Sequence, residues 1–367
     1  MKKFFITLLA VSALASCTKS EVAYDDPSEI GFAPVTKMST KAVADGTDYP
    51  DELNMYVFAN AGAAGSATTT YTEVYFQNAR FANKANGVFA GSPDPYYWPN
   101  VKKLIFSGVS ASGNVNAAAN GSVPTYALTN GAWNITLANY APGTGSSTTG
   151  SNDLMWFPTT AAYGKADVMG TGNDGDIDVQ MKHACSWITI KVKGDSVTGR
   201  ADDDATNNVD ETTTWKVKSL IINNLSLTGT ATLGETASWS NLATTKGVFN
   251  VFASNAGTVL TTTAVELANV ANNTVVIPQA PTTLTIVYEF VSQKGGGANG
   301  ADIVIEETKT VDLTLADTVT GENGAKGGNW LPGKHYIYTV TIGTQEILIE
   351  PTAADWDDVT VTPDIAI

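Results

Sequence analysis

Short runs in which apolar and polar side chains alternate recur along this chain, and clusters of Gly, Asn, Asp and Pro separate them. Alternation at period two puts one set of side chains on a buried face and the other in water, as a half-buried strand requires. No long run carries the three-to-four spacing of an amphipathic helix. The pattern predicts strands at residues 30–35, 53–58, 71–81, 103–106, 133–137 and 188–192. In the second half it predicts 217–222, 231–233, 248–252, 274–277, 284–290, 311–315, 336–342, 346–349 and 359–361. Residues 133–137 are the only clear strand between 114 and 151. Gly295-Gly296-Gly297 marks a hairpin loop, and residues 200–214 read as a polar insertion. Many short strands punctuated this way make an all-β chain of packed sandwiches.

The first seventeen residues depart from that pattern. Met1-Lys2-Lys3 is positive, residues 4–13 are apolar, and Leu14-Ala15-Ser16-Cys17 sets small residues before a cysteine. This is the order of an export signal ending in a lipobox, with an apolar run too short to span a bilayer. It predicts a signal peptide over residues 1–16 and a mature chain that starts at a lipidated Cys17, tethered to a membrane by acyl chains. The plainer alternative is an ordinary secretory signal with a cysteine near its end.

With 367 residues the chain has room for about two domains. It is 43% hydrophobic and only 16% charged, so it can fill a core. A formal net charge of −15 disfavours nucleic acid and anionic lipid surfaces as partners. Of two cysteines, one is Cys17; if that carries lipid, Cys185 has no disulfide partner within the chain. The domain boundary is expected near Asp176. That divides the mature chain into a segment at 17–41 with the first strand, a sandwich at 42–176, and a sandwich at 177–367.

Candidate chemistry is sparse. Gly170-Thr171-Gly172-Asn173-Asp174-Gly175 fits a dinucleotide glycine pattern but leads into an acidic, strand-like segment instead of a helix. The segment from Gly328 to Lys334 has phosphate-loop spacing, but His335 stands where a Ser or Thr should hold magnesium. Asp174, Asp176 and Asp178 could present oxygens to Ca²⁺, but no Glu follows at the required distance; solvated turn carboxylates are the simpler reading. His183 and Cys185 would share a face of an extended segment, and a buried structural thiol is the simpler reading there. With two histidines in all, general-base catalysis has little material, so no catalytic residue, cofactor or metal is expected. Trp133 and Trp239, in Ser- and Asn-rich surroundings, are the candidates for a sugar-stacking surface.

Several further segments follow the lipobox with Cys17 in order: Ile30-Gly31-Phe32, Ser39-Thr40-Lys41-Ala42, Tyr96-Tyr97-Trp98-Pro99 and Lys182-His183-Ala184. Val276-Ile277-Pro278-Gln279, the run from Trp330 to Tyr338, Gly343 and Asp355-Trp356 complete the series. Taken in this order, the series resembles the fimbrillins, the subunits of protease-assembled pili on Gram-negative anaerobes. The resemblance implies two tandem transthyretin-like β-sandwich domains. It also implies export as an outer-membrane lipoprotein, cleavage by a trypsin-like protease, and polymerisation into an extracellular fimbrium by donor-strand exchange. The cut would fall after Lys41, before Ala42, with Lys37 as the second site; the family often has Arg there. The released strand would carry Ile30, Phe32 and Val35, and the donor strand Val359, Val361, Ile365 and Ile367. Other pilus subunits and the maturation protease are the implied partners. Ser196 and Thr318, in Asp-Ser-Val and Asp-Thr-Val triplets, resemble O-glycosylation sites of these bacteria. The rival function is a surface glycan-binding lipoprotein or a pilus-tip adhesin, with a host or bacterial surface glycan or protein as its partner.

Overall fold

The computed structural model describes residues 28–34, 54–62, 70–84, 88–111, 124–142, 153–169, 176–195, 213–268, 274–292, 303–313, 328–343 and 347–355. Its first strands are β1 (Gly31–Pro34), β2 (Asn54–Gly62), β3 (Glu73–Lys84), β4 (Val88–Gly91), β5 (Lys103–Ala111), β6 (Thr125–Thr129), β7 (Ala132–Tyr140) and β8 (Leu154–Phe157). A single helical turn, α1 (Lys165–Val168), precedes β9 (Asp176–Val179), β10 (Lys182–His183) and β11 (Ser186–Gly194). Then come β12 (Thr213–Leu225), β13 (Gly229–Leu233), β14 (Ala237–Ser240), β15 (Gly247–Val259), β16 (Val265–Glu266) and β17 (Thr274–Val276). The last are β18 (Thr283–Ser292), β19 (Ile303–Asp312), β20 (Lys334–Ile342) and β21 (Ile347–Asp355).

An eight-stranded sheet runs β10-β8-β5-β2-β3-β4-β1-β9. Its two edges, β9 and β10, are consecutive in the chain with only Gln180 and Met181 between them. A two-residue link spans about 10 Å at most, so the sheet folds over until its edges nearly meet. Inside lie Phe32, Met55, Val57, Phe81, Phe89, Phe106, Met155, Phe157, Ile177 and Val179. The opposite face of β2, β5 and β8 presents Tyr56, Phe58, Val109, Leu154 and Trp156 to a second, four-stranded sheet, β14-β13-β7-β6. β2 is therefore buried on both faces from Met55 to Gly62, which is why its sequence is a continuous apolar run broken only by Asn60.

Two further sheets, β16-β11-β20-β21 and β15-β12-β18-β19, enclose a third core. Ile188, Ile190 and Val192 of β11 meet Trp215, Val217, Leu220 and Ile222 of β12 there, with Tyr336, Tyr338 and Val340 of β20 beside them. β18 and β19 pair antiparallel over ten positions, from Thr283↔Asp312 to Ser292↔Ile303. Of the expected strand at 311–315 only residues 311 and 312 belong to β19, which starts at Ile303; Leu313 follows it outside any strand, and residues 314 and 315 lie outside the described residues. The sheet β14-β13-β7-β6 takes β6 and β7 from before Asp176 and β13 and β14 from after it. β6 was not expected. It closes a hairpin with β7 through Asn130 and Gly131, both at positive φ (52° and 79°), the backbone of a two-residue primed turn.

Candidate fimbrial assembly site

β1 is a short strand in the interior of a sheet. Gly31 and Phe32 pair antiparallel with Ala90 and Phe89 of β4. On the other side Gly31, Phe32, Ala33 and Pro34 pair parallel with Asp176, Ile177, Asp178 and Val179 of β9. The ladder continues before β1: the Ile30 N–H donates to the Tyr96 carbonyl (2.7 Å), and the Trp98 N–H donates to the Ser28 carbonyl (3.0 Å). Glu29 bridges Tyr97 between those bonds.

Side chains at period two point into the core, and both apolar ones are fully enclosed: Ile30 and Phe32 are 0% exposed. Phe32 is caged by rings. Its centroid lies 4.9 Å from Phe81 and 5.4 Å from Phe106, both edge-on, and 5.6 Å from Phe157. Phe76 and Tyr96 extend the cage beyond Phe81, and Trp98 packs edge-on against Phe106 at 5.7 Å. The other face of β1 is tight in a different way. A Cβ on Gly31 would stand 1.8 Å from Asp176 Oδ1, so the backbone approaches β9 as only glycine permits unless that carboxylate moves.

The covalent link from β1 to β2 runs through residues 35–53, while β1 pairs with neither β2 nor β3. Val35, Lys37, Lys41 and Ala42 lie in that link, outside the described residues, as does Cys17. Ser196, Thr318 and the donor residues Val359, Val361, Ile365 and Ile367 lie outside them too. Among the described residues β21 is the edge strand of its sheet and pairs with β20 alone, from Lys334↔Asp355 to Ile342↔Ile347.

The remaining candidates fall into structural places. Asp176 and Asp178 sit on β9 opposite Gly31 and Ala33. Among the described residues no three His, Cys, Asp or Glu side chains are grouped to hold a metal. Cys185 is fully buried, and burial together with the nearby Asp153 pushes its thiol well above the ordinary range. His183 pairs through Nδ1 with Asp153 in the same interior. Lys334 opens β20 straight from a turn, so no helix N-terminus faces the glycines at 328 and 333. Trp133 does not form a sugar platform: it is 2% exposed and packs between Phe58 and Tyr126. Trp239 is half-buried against Tyr140 and spends its indole N–H on the Ala184 carbonyl (2.7 Å). Both tryptophans alternate within strands and face the same core, Trp133 inside it and Trp239 at its edge. The walls of the β1 slot, β4 and β9, escape sequence reasoning, because nothing local in residues 176–179 signals a parallel partner at 31–34.

A family model described as fimbrillin-like matches residues 40–356. The chain belongs to the fimbrillin-like family. β1 and residues 357–367 lie outside the matched span. No curated protein matches the chain. Among solved structures this fimbrillin-like chain is similar to a fimbrial protein of Bacteroides vulgatus, at 18% identity and a TM-score of 0.48, covering 89% of this chain and 99% of that one. It is similar to a candidate cell adhesion protein of Bacteroides uniformis, at 15% identity and a TM-score of 0.43, over 90% and 99% of the two chains. It is also similar to the tip fimbrial protein Mfa3 of Porphyromonas gingivalis with C-terminal truncation, at 11% identity and a TM-score of 0.33, over 83% and 93%. Membership of the fimbrillin-like family supports a pilus subunit at the cell surface that assembles with other pilus subunits.

Proposed function

We propose that this chain is a non-enzymatic pilus subunit, built of two tandem sandwiches, that polymerises by strand replacement. It is exported as a lipoprotein on Cys17, cut after Lys41 by a trypsin-like protease, and loses β1. Ala42 then becomes the new N-terminus, and a C-terminal strand from another subunit fills the slot. Candidate glycans at Ser196 and Thr318 would decorate the finished fimbrium.

The observation that carries this reading is the position of β1. It bonds on both sides within a sheet and fills an aromatic cage, yet its only covalent link forward is the segment that contains Lys37 and Lys41. Two consequences follow from its removal. The facing edges of β4 and β9 lose ladder partners, and buried unpaired amides cost about 1–3 kcal/mol each. Phe81, Phe106 and Phe157 meet water where Phe32 stood, and each large side chain uncovered costs about 1.5–3 kcal/mol. An empty slot is therefore far less stable than a filled one, and a strand offered in trans is taken up.

Limited trypsin digestion of the purified full-length precursor tests the proposal. Intact-mass analysis should show loss of the segment ending at Lys41, and SDS gels of unheated samples should show a ladder of oligomers. Removing residues 357–367 should abolish the ladder and leave a folded monomer. A precursor that is cut yet stays monomeric, with its tail present, would sink strand replacement. A product beginning at Met38 would move the cut to Lys37.

A further inference from the structure

The sheet β15-β12-β18-β19 has two edges, and they are built differently. Three register shifts interrupt the ladder of β15 with β12, and Gly257 on β15 stands at positive φ (69°). Bulges of this kind turn an edge strand away from regular pairing. β19 pairs with β18 over its whole length without a shift, and among the described residues its other side pairs with no strand. Residues 304–310 are exposed in succession, so both faces of the strand meet water. Val304 is 54% exposed and Ile305 47%. A long regular edge with uncovered apolar side chains is a template for one more strand. Its charges decide which strand fits. Glu306 binds Lys218 at 2.7 Å. Glu307 accepts from the Tyr288 hydroxyl at 2.8 Å and lies 3.4 Å from Lys309 Nζ, and both members of that ion pair remain about half-exposed.

We propose that β19 is a lateral interaction edge and that its partner is β19 of a second copy, paired antiparallel about a two-fold axis at Thr308. The strand-replacement reading is not needed for this: the contact uses neither the β1 slot nor the C-terminal tail, and the uncut chain can make it. Backbone geometry and charge fix the register together. Along a regular edge every second residue turns its N–H and C=O outward, the others being bonded to β18. Two copies of one strand exchange bonds only between outward residues, so the axis passes through a residue and never between two. An axis at Glu306, Glu307 or Lys309 sets that charge against itself, and like charges directly opposite repel. An axis at Ile305 or Thr310 leaves Glu307 opposite Ile303 or Leu313. An axis at Thr308 sets Glu307 against Lys309 on both sides. On the same face Ile305 then meets Val311, which already packs against the core. On the other face Thr308 meets itself, Glu306 meets Thr310 and Val304 meets Asp312, with no like charges opposed. The edge charges thus bar the slipped registers and admit this one. Pairing joins two four-stranded sheets into one continuous sheet across two subunits.

Charge reversal tests the partner. Sedimentation of the uncut full-length chain should show a monomer–dimer equilibrium. Lys309→Glu or Glu307→Lys alone should weaken it at least about tenfold, since each turns two cross-strand attractions into two repulsions. Mixing the two variants should restore dimers, because each supplies the charge that the other lacks. Cysteine tests the register. Cα atoms opposed across an antiparallel pair stand about 4.5–5.5 Å apart, within disulfide range. Thr308→Cys should therefore oxidise to a dimer whose digest contains two peptides joined through position 308. A chain that stays monomeric up to about 1 mM makes no such contact. Dimers that persist in both single variants, or that mixing fails to restore, place the interface elsewhere. Cross-linking through Glu307→Cys in preference to Thr308→Cys moves the axis and overturns the register. None of these outcomes bears on strand replacement, which is read only after trypsin.

Discussion

Phe32 and His335 are both enclosed, and they answer to different conditions. Phe32 carries no polar group; its position rests on three phenylalanine rings and two strand ladders. Truncation to alanine would open a ring-sized cavity that close-packed neighbours cannot fill. We expect Phe32→Ala to destabilise the uncut chain by about 3–5 kcal/mol in urea unfolding. A loss below about 1 kcal/mol would mean that the slot collapses without its anchor. His335 stacks on Trp187, ring centroids 3.6 Å apart and 4° from parallel, and its Nε2 bonds Thr189 Oγ1 at 2.9 Å. Burial, aided by Lys191, lowers its pKa from 6.5 to about 3. The folded chain then leaves this imidazole neutral where the unfolded chain protonates it. Its contribution is intact above pH about 6.5 and is lost as pH falls towards about 3, by about 1.4 kcal/mol per pH unit. His335→Gln should lose less stability than the parent between pH 7 and 4.5, whatever its stability at pH 7. Parallel pH curves for the two proteins would mean that His335 protonates in place.

Turn and packing glycines separate two kinds of cost at the scale of elements. At Gly131 φ is +79° and nothing lies within 4 Å of an added Cβ. Gly131→Ala should cost about 1 kcal/mol, all of it backbone. At Gly108 on β5 the added Cβ would stand 2.4 Å from the Phe157 ring, a wall of the β1 slot. Gly108→Ala should cost about 2–3 kcal/mol in thermal unfolding and should also hasten release of β1 after cleavage, which Gly131→Ala should not. Equal release rates would uncouple Phe157 from the slot. These same elements mark what the sequence reveals. β11 from Ile190 and β20 from Tyr336 alternate buried with half-exposed positions, and the pattern places a strand in each; the first half of β11 is buried on both faces, where the alternation in its sequence does not reflect exposure. β8 is Leu154-Met155-Trp156-Phe157, buried throughout, so it has no alternation to read. β6 is exposed or half-exposed at every position, and its one strong signal is the Asn130-Gly131 turn after it. β19 carries Glu306, Glu307 and Lys309 on an edge strand whose charge hides its length. The apolar pair Ile30 and Phe32 was legible as a buried strand. Its seat between β4 and β9 was not, because pairing across distant segments is a property of the closed sheet.

For the molecule as a whole, the strand-replacement proposal makes the difference between precursor and cut subunit a matter of how β1 is held. In the precursor residues 35–53 tether it, so a β1 that slips out meets its slot again at an effective concentration in the millimolar range. On that proposal rebinding would outrun any competitor at lower concentration, and polymerisation would be suppressed although the slot and the tail are both present. A cut after Lys41 removes the tether and leaves every contact of β1 in place. Nothing in the local packing changes; only the return of a departed strand becomes bimolecular. Cutting should therefore make slot opening depend on protein concentration, which it does not in the precursor. Hydrogen exchange can read this at the backbone N–H of Trp98, bonded to the Ser28 carbonyl, and along β4 and β9. In tail-deleted protein, which cannot refill the slot, those amides should exchange faster after cutting and faster again on dilution, while β12 and β20 stay protected. Excess synthetic peptide spanning residues 28–41 should restore protection. Protection at β4 and β9 that is unchanged by cutting and by dilution would show that β1 is a permanent strand, and that any assembly uses another surface.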